Sequence, residues 1–283
     1  MLETFAVTGG TPIARRVGNV INVPDPTTVL MVPATIFLAG IAAGTINTVV
    51  GSGTLITFPT LLAVGIPPVT ANVSNTLGLV PGSLSGAIGY RRELAGQRPR
   101  LLRLGAASVL GGTTGAVLLL VLPAAAFDAI VPVLIALGCI LVVAQPAISR
   151  RVEARAEARG QARPEHGALW VWGLVYLAGV YGGYFGAAQG VLLMAILGVG
   201  LTESMQRNNA TKNVLALLVN LVAAIVFVFV AEMNWTVAGL IALGSVIGGQ
   251  VGATVGRRLP AWALRAFIVV VGVAALTQFV VAH

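Results

Sequence analysis

Long apolar stretches separated by short polar punctuation dominate this chain, and their lengths give the first clue to its fold. Runs close to the roughly 20 residues that carry a helix across a bilayer lie at about 30–50, 72–90, 104–122, 128–146, 170–189, 210–231, 236–256 and 264–282. Full membrane spans are expected at each. Two further apolar pieces, Thr54 to Gly65 and Val191 to Leu201, are about half that length and follow the first and fifth runs. They predict short broken or re-entrant helices.

Composition agrees with lipid as the solvent. Of 283 residues, 57% are hydrophobic and only 9% charged, with a mean hydropathy of +0.94, whereas soluble domains carry about a quarter charged residues. The formal charge of +8 does not point to nucleic acid, because the arginines sit in short loops between apolar runs. The single cysteine, Cys139, excludes an internal disulfide, a CxxC motif and a thiolate metal cluster. Residues 1–29 are interrupted by Gly9, Gly10, Pro12, Pro24 and Pro26 and lack the apolar core of a secretory signal. They read as a retained tail.

Charge and tryptophan positions orient the spans. Five arginines between Arg91 and Arg103, five more between Arg150 and Arg163, and Arg257, Arg258 and Arg265 mark cytoplasmic faces by the positive-inside rule. The connections Pro123 to Asp128 and Glu232 to Trp235 hold no Lys or Arg and should face outward. Trp170, Trp172, Trp235 and Trp262 all begin spans, where an amphipathic ring suits the headgroup level.

The chain also repeats itself. Gly40, Gly44 and Gly51 recur as Gly179, Gly183 and Gly190, and Asn75 as Asn213; later Ser108, Gly111, Gly112, Gly115, Leu122 and Pro123 recur as Ser245, Gly248, Gly249, Gly252, Leu259 and Pro260. The run near Leu104 starts inside while its mate near Trp235 starts outside. An all-α membrane protein of two inverted-topology repeats is therefore expected, with about five hydrophobic segments in each. The division is a tail (1–29), a first repeat (30–146), a basic cytoplasmic linker (147–169) and a second repeat (170–283). Both termini then lie outside, which puts Arg15 and Arg16 on the unfavoured face. The small-residue spacings let helix backbones approach closely, and they serve internal packing and a homo-oligomer alike.

Interrupted helices in corresponding repeats point to a midplane transport site, because a half-helix N-terminus offers free amides to an anion. Asn47 to Thr54, with Gly51, Ser52 and Gly53, is one such place, and Gln189-Gly190 holds the expected equivalent. The next runs open with polar clusters, Asn72, Ser74, Asn75 and Thr76 in one and Asn208, Asn209, Thr211, Lys212 and Asn213 in the other. Two readings stand: ordinary N-capping, or the walls of a shared polar cavity. Lys212 is the only lysine. It either faces that cavity as counter-charge for an anion or snorkels to the interface. Arg207 reads as an interfacial anchor.

Some chemistry is disfavoured. No Asp or Glu is expected within a span, His166 lies in the linker and His283 at the end, and there is no Walker-type glycine loop. Carboxylate relays, intramembrane proteolysis, metal sites and ATP hydrolysis lack their residues. No cofactor and no enzymatic activity are expected.

The run Gly40-Ile-Ala-Ala-Gly44-Thr-Ile-Asn47-Thr-Val-Val-Gly51-Ser-Gly53-Thr-Leu-Ile-Thr-Phe-Pro59, then Ala71-Asn72-Val-Ser-Asn75-Thr76, Pro81-Gly82-Ser83 and Gly89-Tyr90-Arg91-Arg92-Glu93-Leu94, closely resembles the TauE/SafE family of sulfite and organosulfur anion exporters. Asn209-Ala-Thr-Lys212-Asn213 is similar to it too, and the resemblance covers about residues 35–282. It implies a multi-pass secondary transporter of the bacterial inner membrane that exports sulfite, sulfoacetate or a related anion by alternating access. Ser52 and Thr54 depart from the glycine-richer form of the first motif, beside the expected substrate. The alternatives are a non-transporting accessory subunit and an uptake transporter for another solute such as a carboxylate.

Overall fold

A computed structural model of the chain describes residues 26–159, 168–255 and 261–282. Arg15, Arg16, Arg163, His166, Arg257, Arg258, Leu259, Pro260 and His283 lie outside the described residues. Ten helices and no strand occur among those described: α1 (Pro26–Val49), α2 (Thr54–Ala63), α3 (Pro68–Gly89), α4 (Arg98–Val121), α5 (Ala124–Arg159), α6 (Leu169–Tyr184), α7 (Gln189–Gly200), α8 (Met205–Val230), α9 (Trp235–Thr254) and α10 (Ala261–Ala282). The chain is all-α, as expected. The two short apolar pieces are α2 and α7.

The boundaries follow local chemistry. Pro68 opens α3 and Pro99 lies in the first turn of α4, where a missing amide costs no helix bond. Ser204 Oγ accepts the Arg207 amide at 3.4 Å to start α8, and Asn234 Oδ1 accepts the Val237 amide at 3.1 Å to start α9. Five helical stretches are long and apolar enough to cross a membrane unaided: Leu30–Val49, Arg98–Val121, Ala124–Ile148, Met205–Val230 and Trp235–Thr254. The sixteen-residue α6 is too short to do so alone, and α3 is interrupted by buried polar side chains. Two boundaries correct the sequence reading. The fifth run stops at Tyr184, because Phe185 to Ala188 leave the helix, and α5 continues through Arg159, making the first half of the linker helical.

Mapped onto each other in order, α1–α5 and α6–α10 make equivalent contacts. Helices α1 and α3 both pack on α9, while their counterparts α6 and α8 both pack on α4; α2 meets α10 as α7 meets α5. Each half thus completes itself with a helix from the other.

Backbone approach at small residues makes this packing dense. Gly248 faces the Ile41 carbonyl and Thr45 amide, and Gly252 the Thr45 carbonyl; in the other half Gly111 faces the Tyr176 carbonyl and Val180 amide, and Gly115 the Val180 carbonyl. Gly44 lies against Ser245 and Gly179 against Ser108. These pairs correct the sequence alignment of the first segments by one helical turn. The partner of Gly44 is Gly179, and that of Gly51 is Gly186 rather than Gly190. Glycines repeated every fourth residue alias the alignment, because a shift of one turn superposes them again. Likewise Gly249 on Gly82 and Ser85 corresponds to Gly112 on Val219 and Val222, so Asn72 matches Asn209 and Asn75 matches Lys212 rather than Asn213.

A methyl group at Gly115 or Gly248 would fall on a neighbouring carbonyl oxygen closer than a Cβ can sit, whereas Gly239 has open space. Gly115→Ala should therefore cost about 1–3 kcal/mol of overpacking strain. Gly239→Ala should be neutral or gain up to about 1 kcal/mol of helix propensity. Thermal unfolding of the two variants in detergent, which should shift in opposite directions or leave the second unmoved, checks the assignment.

Candidate functional site

Two helix breaks lie at the meeting of the halves, and the backbone builds them alike. In the first, the amides of Val50 and Gly51 both reach back to the Ile46 carbonyl, at 2.7 and 3.0 Å; in the second, those of Phe185 and Gly186 reach the Tyr181 carbonyl, at 3.0 and 3.1 Å. Gly51 (φ 87°) and Gly186 (φ 78°) take the left-handed turn that each ending requires. Ala188, buried just before α7, holds φ 60° without being glycine. The two breaks touch: the Gly190 amide donates to the Gly51 carbonyl at 3.0 Å, and neither residue has room for a side chain. Around the second break Phe58, Phe127, Tyr184 and Phe185 pack mainly edge to face, with ring centroids 5.0–6.4 Å apart.

The polar clusters do not cap their own helices. They lie inside α3 and α8 and are buried, and Asn72, Asn209, Lys212 and Asn213 reach across to the other half. Asn72 Nδ2 donates at 3.0 Å to the Tyr184 carbonyl, the last of α6. Its counterpart Asn209 donates at 3.3 Å to the Thr48 carbonyl near the end of α1. Asn213 Nδ2 donates to the same oxygen at 3.3 Å, and Lys212 Nζ donates to both Asn47 and Thr48 carbonyls at 3.1 Å. Lys212 has no exposed surface and makes no ion pair among the described residues. Snorkelling is therefore excluded, because its ammonium points into the protein at a helix C-terminus, the end that favours a cation.

At the start of α2 the first intrahelical bond is Leu55 N–H to Ser52, so the amides of Ser52, Gly53 and Thr54 precede the ladder. Beside them Thr57 Oγ1 donates to Asn75 Oδ1 at 2.5 Å, and Asn75 Nδ2 donates to Thr54 Oγ1 at 3.4 Å. Asn47 Nδ2 donates to Ser83 Oγ at 3.2 Å. Several buried polar atoms here have no partner: Ser52 Oγ, Asn72 Oδ1, Tyr184 Oη, Gln189 Nε2 and Asn209 Oδ1. Each such atom costs about 1–3 kcal/mol. Five of the nine such side-chain atoms among the described residues lie around the two breaks.

The expected residues therefore divide. Asn47, Lys212 and Asn213 meet at the end of α1; Ser52, Gly53 and Asn75 meet at the start of α2; Asn72 and Gln189 flank the second break, where Gln189 fills the space left by Gly182. Gly51 and Gly190 join the breaks, and the Gly190 amide is already spent on Gly51. Two residues lie elsewhere. Ser74 Oγ accepts the Asn234 amide at 2.9 Å, and Thr211 Oγ1 donates to Gln97 Oε1 at 2.9 Å. Thr57 and Tyr184 were not legible as site residues, since only the tertiary contact places them there. Asp128 needs correction too. Helix α5 begins at Ala124, so Asp128 lies within a span, with Oδ1 buried and unpartnered.

Thr211 and Gln97 open onto an ion-pair network between the halves. Arg100 donates to Gln97 Oε1 and Glu203 Oε1, both at 2.8 Å, while Arg207 donates through Nε to Glu203 Oε2 at 2.5 Å and through Nη1 to the Ala95 carbonyl at 3.2 Å. Arg207 is thus an internal partner as well as an end-of-helix charge. Nearby, a cleft of about 310 Å³ is lined by Gly89, Arg91, Arg92, Glu93, Ala253 and Thr254 at the ends of α3 and α9.

The architecture defines a multi-pass helical membrane protein with paired broken helices at its centre. The sulfite exporter TauE/SafE family model matches residues 36–279, and the chain belongs to that family. It is similar to a protein named "probable membrane transporter protein ORF9" from a Sinorhizobium species, 28% identical over 245 residues, covering 85% of this chain and 89% of that one. A "probable membrane transporter protein" of Haemophilus influenzae is 25% identical, covering 78% and 83%. The similarly named YfcA of Escherichia coli K12 is 26% identical, covering 77% and 78%. No solved structure is significantly similar. The protein is a membrane transporter, not an enzyme.

Burial pushes the Glu203 carboxyl up, but hydrogen bonds and charge from Arg100 and Arg207 outweigh this and hold it below its ordinary value. A group depressed in this way adds stability above the unfolded Glu value of about 4.3 and loses it as pH falls through the lower folded value. Glu203→Gln should destabilise by about 2 kcal/mol at pH 7 for this partly buried pair. The gap from wild type should close toward pH 3 in melting curves recorded across that range.

Proposed function

We propose that the protein is a secondary transporter exporting a small anion, sulfite or an organosulfur anion such as sulfoacetate, across the bacterial inner membrane by alternating access. The observation that carries this reading is the contact between the two helix breaks, Gly190 N–H on Gly51 C=O, within a shell of buried polar atoms that lack partners. Broken helices meeting between equivalent halves are how transporters place substrate groups on unwound backbone.

The start of α2 suits an anion best. Its leading amides and positive dipole end attract negative charge, and Ser52, Asn75 and Thr54 can turn hydrogen bonds toward it. Residues Ser52 to Thr54, Gln189 and Gly190 are all buried, so this conformation is closed around the breaks. The arginine-lined cleft lies about one helical turn past Gly86, which packs on Thr48. It is a natural antechamber for an anion arriving from the face rich in Arg91 to Arg103. Inversion of the two halves across the membrane belongs to the same reading and is supported by the loop charges and the equivalent packing. Partners are then the anion and the bilayer; the small-residue faces are largely used inside the chain, which leaves a homo-oligomer to the apolar outer surface.

Counterflow of labelled sulfite into proteoliposomes preloaded with unlabelled sulfite tests the proposal. Wild type should show counterflow, and Thr54→Val, which removes the hydroxyl facing Asn75 with little change of shape, should lower it about tenfold, equivalent to the roughly 1.4 kcal/mol of one hydrogen bond. Wild-type vesicles inert to sulfite, sulfoacetate and other organosulfur anions would overturn anion export. Counterflow with a carboxylate instead would favour the uptake alternative.

A further inference from the structure

The two breaks share a backbone but not their electrostatics, and the difference in charge lies in one position. Where α3 offers Asn75, α8 offers Lys212. At the second break the end of α6 is met by the amide of Asn72, a neutral donor. At the first, the end of α1 is met by two amides and the Lys212 Nζ, held between the carbonyls of Asn47 and Thr48.

We propose that the Lys212 ammonium is a tethered cation: it occupies, permanently and from within the chain, a carbonyl cage at the broken end of α1 that a free monovalent cation would otherwise be needed to fill. The inference rests on the transporter reading above and names the device that charges its site. Four observations carry it. Backbone carbonyls at the C-terminal end of an interrupted membrane helix are the ligands that hold small cations in carriers. Two of them converge on Nζ at 3.1 Å. The side-chain oxygen of Asn209, whose amide binds the same Thr48 carbonyl, is itself buried without a partner.

The fourth is that, among the described residues, no other charge answers Lys212. Its own helix carries Arg207, paired with Glu203, which in turn holds Arg100 of α4; these connect to the lysine only through Thr211 and Gln97. The groups offered by α1 are neutral: Asn47, Thr48 and the glycines beside them. An ammonium placed here cancels the negative end of α1 beside the positive start of α2. The first break becomes net attractive to an anion, while the second remains neutral. Substrate charge is thereby directed to Ser52 to Thr54, and transport needs no sodium or potassium ion.

Lys212→Ala removes the equivalent of n-propylammonium and leaves the cage intact. The variant is purified with n-propylammonium, with tetramethylammonium (a charge without N–H donors), or with neither. Melting and sulfite counterflow are measured for each, and wild-type counterflow is compared in sodium, potassium and choline salts. The expected result is that n-propylammonium, and not tetramethylammonium, raises the melting temperature of Lys212→Ala by several degrees without moving wild type. It should also restore at least a third of a counterflow that has fallen tenfold or more, while wild type runs equally in all three salts. A folded Lys212→Ala whose melting ignores n-propylammonium would overturn the cage, even if no anion is ever found to be carried. Wild-type counterflow that requires sodium, or that survives in Lys212→Ala without an amine, would overturn the tethered cation while leaving anion transport intact.

Discussion

A helix that stops inside a bilayer exposes carbonyls and amides that lipid cannot satisfy, and the rest of this structure is arranged around two such stops. Neither is completed by its own half of the chain. The end of α1 is closed by Asn209, Lys212 and Asn213 from α8, and the end of α6 by Asn72 from α3. The halves are therefore mutually required. Exchange of α4 and α9 between them has the same effect on a larger scale, because α1 and α3 bury their small-residue faces mainly against a helix of the other half.

This division separates rigid from adjustable parts. Where Gly44, Gly248 and Gly252 bring backbones into contact, there is no side-chain slack, and close-packed surfaces of this kind move as units. The breaks differ in kind. They hold left-handed turns at Gly51, Gly186 and Ala188 and a single backbone bond between the halves. In the proposed transport cycle the packed triplets α1–α3–α9 and α4–α6–α8 are the bodies that rock, and the breaks are where they part. The Arg100, Glu203 and Arg207 network joins α4 to the start of α8 and so braces the second of these bodies from within.

In the proposed function, equivalent backbones with unequal side chains let two like halves hold one site. Both breaks end a helix in the same way, yet only the first has a lysine over its carbonyls and an unengaged run of amides at the following helix start. At the second, the Gly190 amide is consumed by Gly51 and aromatic rings fill the surroundings. Symmetry sets the geometry, and the Asn75 to Lys212 exchange sets the charge.

The all-helical membrane class, the positions of most helices, the two short helices and the recurring glycine pattern were legible in the sequence, whereas the extension of α5 through Arg159 and the end of α6 at Tyr184 were not. Apolar run length and glycine spacing report directly on a helix in lipid. The polar clusters at Asn72 to Thr76 and Asn208 to Asn213 were legible as important, since polar residues are costly there. Only the tertiary structure decided what they do. Asn72, Asn209, Lys212 and Asn213 donate to carbonyls of the other half more than a hundred residues away, which capping of their own helices did not describe. The register of the repeat was likewise decided in three dimensions. Glycines four residues apart match after a shift of one turn as well as before it, and only the contacts of Gly44 with Ser245 and Gly179 with Ser108 distinguish the two.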